Sequence, residues 1–134
     1  MLPVASPSYL EGRELPRTPD DLAQHRCIRS RTPSGRPYRW EFERHGNAME
    51  VDVSGPLMLN RTELMAEAAV RGLGIAFVPE RVAKPYLRDN LLCALLEEWC
   101  PSYPGMFLYY PGHRHVPAGL RAFIDVLKAC PIDE

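Results

Sequence analysis

The sequence predicts an α/β fold, a mixed sheet flanked by helices. Three observations carry this. Residues 60–79 read as an amphipathic helix, a glycine stop, a short apolar run and a proline, which is half of an α/β unit. Residues 38–53 alternate apolar and polar around His45-Gly46-Asn47, the pattern of an antiparallel hairpin. Elsewhere, short apolar runs of strand length are interleaved with segments of helical spacing.

The elements follow in order. Residues 2–5 form a short apolar strand, and Ser6-Pro7-Ser8 turns the chain into a stub of helix at Tyr9-Leu10. Thr18-Pro19-Asp20-Asp21-Leu22 is a helix start, with threonine as cap, proline in the first turn and two acids at the positive end of the dipole. That helix is short, because residues 26–29 already read as strand. Residues 31–37 hold proline, serine and glycine and form a loop. Tyr38, Trp40 and Phe42 supply the apolar face of one hairpin strand, and Met49, Val51 and Val53 that of the other. Residues 57–59 resume as a strand.

In the helix that follows, Asn60 is placed as cap with Glu63 three residues on, as in a capping box. Leu64, Met65, Ala68 and Ala69 fall on one face, with Glu63, Glu67 and Arg71 opposite, where Glu67 can pair with Arg71. Gly72 and Gly74 end the helix. The wholly apolar residues 75–78 predict a strand covered on both faces. A short helix over residues 80–87 is bent or ended by Pro85. Residues 91–96 and 106–110 are expected as strands, with a loop over 97–105 between them. Val116 and Pro117 open the last helix, with Leu120, Phe123, Ile124 and Leu127 on one face and Pro131 as its stop.

The 134 residues correspond to one domain with a modest core. A formal net charge of -1 gives no global attraction to nucleic acid or to an anionic membrane. Lys84 and Lys128 are the only lysines, so the positive charge is arginine, whose fork suits carboxylates and phosphates; genome composition alone also yields such a bias. Cys27, Cys93, Cys100 and Cys130 have no Cys-x-x-Cys spacing, which disfavours zinc. Cys27 and Cys93 read as small core residues, and Cys100 as the plausible exposed thiol. With no evident signal peptide and no membrane-length apolar run, a reducing cytoplasm is expected. His113 and His115 have the spacing of a metal pair but no accompanying ligands, and read as loop residues. No hydrolase elbow, phosphate loop or His-Glu-x-x-His is present. Neighbouring Glu97 and Glu98 would point to opposite faces of a strand. No enzyme activity, metal or cofactor is expected.

The order of motifs is similar to that of the C-terminal effector-binding domain of LysR-type transcriptional regulators. The matching pieces are Ala5-Ser6-Pro7-Ser8-Tyr9-Leu10, Thr18-Pro19-Asp20-Asp21-Leu22-Ala23-Gln24-His25, Trp40-Glu41-Phe42, Val53-Ser54-Gly55, residues 60–79, His113-Arg114-His115 and residues 119–127. The resemblance implies a lobe of periplasmic-binding-protein type, one of two joined by crossover strands, with a small effector bound between them. It implies that residues 6–105 are the second lobe and that 106–134 are a strand and helix returning to the first. The family's helix-turn-helix has no counterpart in this sequence, so direct nucleic-acid contact by this stretch is not expected. The implied partners are an organic or amino-acid effector and a second copy in a homodimer. The alternatives are a dimerisation or interaction module without ligand, or a transporter-type solute-binding protein.

Two segments converge on the cleft side that the resemblance implies. One is the loop Ser30, Arg31, Thr32 and Pro33. The other is the helix start Asn60, Arg61 and Thr62. The chemistry agrees: a helix N-terminus, a hydroxyl and an arginine fork together suit a carboxylate. The bland alternative is that Asn60 and Thr62 only cap the helix and Arg31 is a solvated loop charge. Tyr38 and Trp40 are either a pocket wall or, as their alternation favours, core.

Overall fold

The computed structural model describes residues 1–102, 107–110 and 116–130. The chain divides into two compact units, Met1–Ser102 and Tyr103–Glu134. The first begins with β1 (Leu2–Ala5), α1 (Pro7–Leu10), a 3-10 helix (Pro19–Gln24) and β2 (Cys27–Ser30). The hairpin β3 (Trp40–Arg44) and β4 (Asn47–Val51) follows, then β5 (Met58–Leu59), α2 (Thr62–Val70) and β6 (Ile75–Val78). It closes with α3 (Glu80–Arg88), β7 (Cys93–Ala94) and a 3-10 helix at Glu97–Trp99.

Five strands form one mixed sheet in the order β5-β2-β6-β1-β7. β2 runs parallel to both β5 and β6, while β1 is antiparallel to β6 and β7. The hairpin is a separate two-stranded sheet. β6 is central and wholly buried, and its alternation explains why it carries no polar residue. Ile75 and Phe77 enter one apolar cluster with Leu22, Cys27, Trp40 and Phe42. Ala76 and Val78 enter a second, on the opposite face, with Ile28, Met65, Ala69 and Ala83. A strand covered by helix on one side and hairpin on the other gains burial at every position. Trp40 stacks on Phe77 with ring centroids 5.0 Å apart and is fully buried. It is therefore core, and the roughly 3 kcal/mol from burying its ring is offset in part because its Nε1–H has no acceptor among the described residues.

Two glycines allow close backbone approach beside β2. A Cβ on Gly55 would overlap the carbonyl oxygen of Cys27, and one on Gly74, at φ 151°, would stand 2.5 Å from the Arg26 oxygen. Both segments press against β2 edge-on, which no larger residue permits.

Several expectations need correction. Residue Asn60 is not the cap of α2: Arg61 is, in extended conformation and with no side-chain capping bond. Leu64 is 43% exposed, whereas Met65, Ala66, Ala68 and Ala69 are buried. Helical spacing fits either set, and the sheet beneath selects the second. Glu67 and Arg71 are not among the ion pairs of the described residues, which are Arg39–Glu50, Arg61–Glu63 and Arg88–Asp89. α3 matches the helix expected over 80–87 to within one residue, and of the two alternatives for Pro85 the helix does not end there: Asp89 still donates to the Pro85 carbonyl at 3.1 Å. The strand expected over 91–96 shrinks to β7, and the loop expected over 97–105 opens with a 3-10 helix at Glu97–Trp99.

In the second unit, α4 (Ala118–Ala129) follows Pro117 as foreseen. Phe107 and Tyr109 are 67% and 91% exposed, and residues 107–110 form no strand, contrary to the apolar pattern. Apolar residues become a strand only where a neighbouring backbone pairs with them. His113 and His115 lie outside the described residues.

Candidate functional site

β2 and β5 lie side by side and parallel, with Ser30 opposite Leu59 as their last residues. The chain therefore leaves both strands at the same end of the sheet. The two predicted segments, Ser30 to Pro33 and Asn60 to Thr62, begin there as neighbours. Carboxyl ends of adjacent parallel strands are where open α/β sheets hold ligands.

The first segment is held by its own backbone. Arg31 forms an isolated antiparallel bridge with Pro37. Tyr38 donates its backbone N–H to the Ser30 carbonyl at 2.8 Å, and Thr32 does the same to Arg36 at 2.8 Å. The Thr32 hydroxyl lies 2.8 Å from that of Ser34 and donates to the Arg36 carbonyl at 3.2 Å. Arg31 Nη1 donates to the Gly35 carbonyl at 3.2 Å. Arg31 and Thr32 thus stiffen the loop they belong to, and exposed Pro33 stands at its turn.

The second segment delivers a helix start. The first backbone bond of α2 runs from Met65 N–H to the Arg61 carbonyl at 3.1 Å, and an arginine at the cap position has no acceptor to offer. The preceding amides at the helix tip carry the positive end of the dipole. Thr62 is half-buried beside them, while Asn60 and Arg61 are exposed. Arg61 Nε reaches Glu63 Oε2 at 3.8 Å, with both side chains more than half exposed, so the contact is weak.

One cation beside these residues has no sequence signal that would have singled it out. Arg29, next to Ser30, is half-buried, and its Nε is shielded from solvent without an acceptor among the described residues. A separate shallow cavity of about 450 Å³ is lined by Glu63, Arg81, Val82, Pro85, Tyr86, Asp89 and Leu91. It includes none of the seven predicted positions.

Cys27 and Cys100 are not arranged for nucleophilic chemistry. Burial pushes Cys27 up to about 12. Burial, with Glu97 and Glu98 adding to it, pushes Cys100 up to about 11, and its Sγ donates to the Leu96 carbonyl at 3.3 Å. Cys100 is half-buried and Cys130 is the exposed thiol, which reverses the expectation for Cys100. Cys93 is half-buried at the sheet edge. Among the described residues no three His, Cys, Asp or Glu side chains cluster as metal ligands. No helix among them is long and apolar enough to cross a membrane.

Comparison with known proteins gives one consistent result. The family described as "LysR substrate binding domain" matches residues 1–130. A putative transcriptional regulator of Pseudomonas aeruginosa is 39% identical over 129 residues, 96% of this chain and 42% of that protein. The Escherichia coli protein YagP, described as a putative LysR family substrate binding domain-containing protein, is 35% identical over 105 residues, 78% of this chain and 77% of that one. Among solved structures, the regulatory domain of AphB from Vibrio vulnificus superposes with a TM-score of 0.69 at 26% identity, covering 96% of this chain and 63% of that domain. The chain spans about two fifths of the length of the first curated relatives it matches.

Proposed function

This chain belongs to the LysR substrate-binding domain family, whose members are transcriptional regulators and not enzymes, and from that premise we propose that it senses a small anionic metabolite at the paired ends of β2 and β5. The carrying observation is the register of Ser30 against Leu59. It brings a stiff, arginine-bearing loop and an uncapped helix tip to one place. Backbone amides and an arginine fork together favour a carboxylate over a neutral ligand.

In this reading residues 6–105 are the second lobe of a two-lobed receptor, and 106–134 return to the first. The effector is an organic or amino acid. Its binding shifts the closure of the lobes, and a homodimer in the cytoplasm passes that shift on. This stretch itself touches neither nucleic acid nor membrane. The test is the thermal midpoint of the chain against a panel of organic and amino acids, followed by titration of those that raise it. Arg31→Ala and Thr62→Ala should each weaken binding without lowering the unliganded midpoint. Unchanged affinity in both variants would remove these residues from the site.

A second reading is a dimerisation module without ligand. The exposed Phe123, Val126 and Leu127 of α4 favour it, because apolar side chains left in water tend to be covered by a partner. Light scattering separates the two: a stable dimer together with no acid-induced shift supports the second.

A further inference from the structure

Arg29 is the only arginine or lysine among the described residues that is not exposed. Its Nε has no hydrogen-bond acceptor among the described residues. The ion pairs of the described residues involve other arginines, so this half-buried charge has no carboxylate paired with it among them. The position is fixed by the backbone: Arg29 pairs with Met58 of β5 and donates its N–H to the Leu57 carbonyl at 2.9 Å.

The direction of the side chain follows from strand alternation. Cys27 packs into the cluster on one face of the sheet and Ile28 into that on the other. Arg29 therefore points to the Cys27 face. Arg31, extended where it bridges Pro37, points the same way. Two guanidinium groups share one face at the end of β2. A partly desolvated charge with no counter-ion among the described residues is unfavourable, and the exposed like charge of Arg31 two residues on adds a smaller, solvent-screened cost. An anion arriving between them offsets both.

We infer that Arg29 selects the charge of the effector, gripping a carboxylate together with Arg31 at the end of β2. This rests on the reading of the β2–β5 end as the effector site. It adds that an arginine pair, and not the α2 tip alone, decides which ligands enter.

The test is isothermal titration of the chain with citrate, succinate, benzoate, L-glutamate and inorganic phosphate, using wild type, Arg29→Gln and Arg29→Lys. The expected result is a carboxylate that binds wild type, loses about tenfold or more in affinity with Arg29→Gln, and recovers part of it with Arg29→Lys. The unliganded thermal midpoint of Arg29→Gln should stay level or rise, because an unpaired charge has been removed. If a carboxylate binds both proteins equally, Arg29 is overturned while the effector site stands. If Arg29→Gln loses affinity only along with its midpoint, and Arg29→Lys restores neither, Arg29 is a packing residue and the inference fails. Preference for phosphate over every carboxylate overturns the ligand class. A wild-type chain that binds none of the five overturns both readings.

Discussion

The hydroxyl of Tyr9 lies 3.1 Å from His25 Nδ1 and accepts the backbone N–H of Arg26 at 3.1 Å. The Arg26 N–H is donated to the hydroxyl oxygen, and one proton lies between that hydroxyl and Nδ1, its side set by the His25 tautomer. One buried tyrosine thus ties the end of the 3-10 helix Pro19–Gln24 to the start of β2. Tyr9→Phe leaves the shape intact but orphans both partners. The expected loss is about 1–2 kcal/mol, read as a lowered urea midpoint at unchanged slope. A variant as stable as wild type would mean that water replaces the hydroxyl at no cost.

Gly55 has no room for a side chain, since its missing Cβ would fall on the Cys27 carbonyl. The same turn supplies the Ser54 carbonyl that accepts Cys27 N–H at 3.0 Å. Gly55→Ala must push this turn off β2 and is expected to cost about 2–3 kcal/mol. Thermal unfolding of Gly55→Ala beside Gly12→Ala is an incomplete control, because Gly12 has φ 71°. Gly119→Ala, in α4 with open space around it, is the better comparison and should be neutral or slightly stabilising.

Asp21 accepts the backbone N–H groups of Thr18 and Arg17, each at 2.9 Å. These bonds, Thr18 first, hold its carboxyl below the ordinary aspartate value. A folded-state value below the unfolded one contributes stability that is complete above about pH 4. That contribution is lost as pH falls through the lowered folded value. Asp21→Asn should therefore flatten the acid side of the stability profile, while changing little in how stability varies between about pH 6 and 8. Denaturant midpoints across the acid range check this; an unaltered profile would sink it.

Cysteine accessibility orders the thiols. At about pH 8, iodoacetamide should modify Cys130 first and leave Cys27 and Cys100 intact until the chain unfolds. Peptide mass mapping at early times reads the order directly. Early labelling of Cys100 would contradict its half-buried contact with the Leu96 carbonyl.

Local pattern made most of the first unit legible. β1, β2, the hairpin, α2 and β6 stand where periodicity put them, because each carries its signal within a few residues. Side-chain selection was less legible. Leu64 and Ala66 occupy flanking positions on α2, and only the sheet beneath decides which is covered. Asn60 has good capping chemistry, yet the chain starts its helix one residue later, after Arg61. At residues 107–110 the apolar pattern is strand-like but no neighbour among the described residues pairs with it. The proximity of Ser30 and Asn60 depended on strand order, which composition cannot supply, and it entered through family resemblance. Arg29 had no signal at all, since alternation alone does not distinguish a wet cation from a half-dry one.

Consider finally the place of β1. Leu2–Ala5 is clasped between β6 and β7, and Pro3, which lacks an N–H, still accepts Leu95 N–H at 2.9 Å. β1 is thus an interior strip whose two partners, β6 and β7, lie far along the chain, with Leu2 opposite Val78 and Ala5 opposite Cys93. Neither partner exists until the ribosome has passed them, so this seam of the sheet closes only after β7 is made. A purification tag fused directly ahead of Leu2 would crowd that seam where β1 enters between its two neighbours.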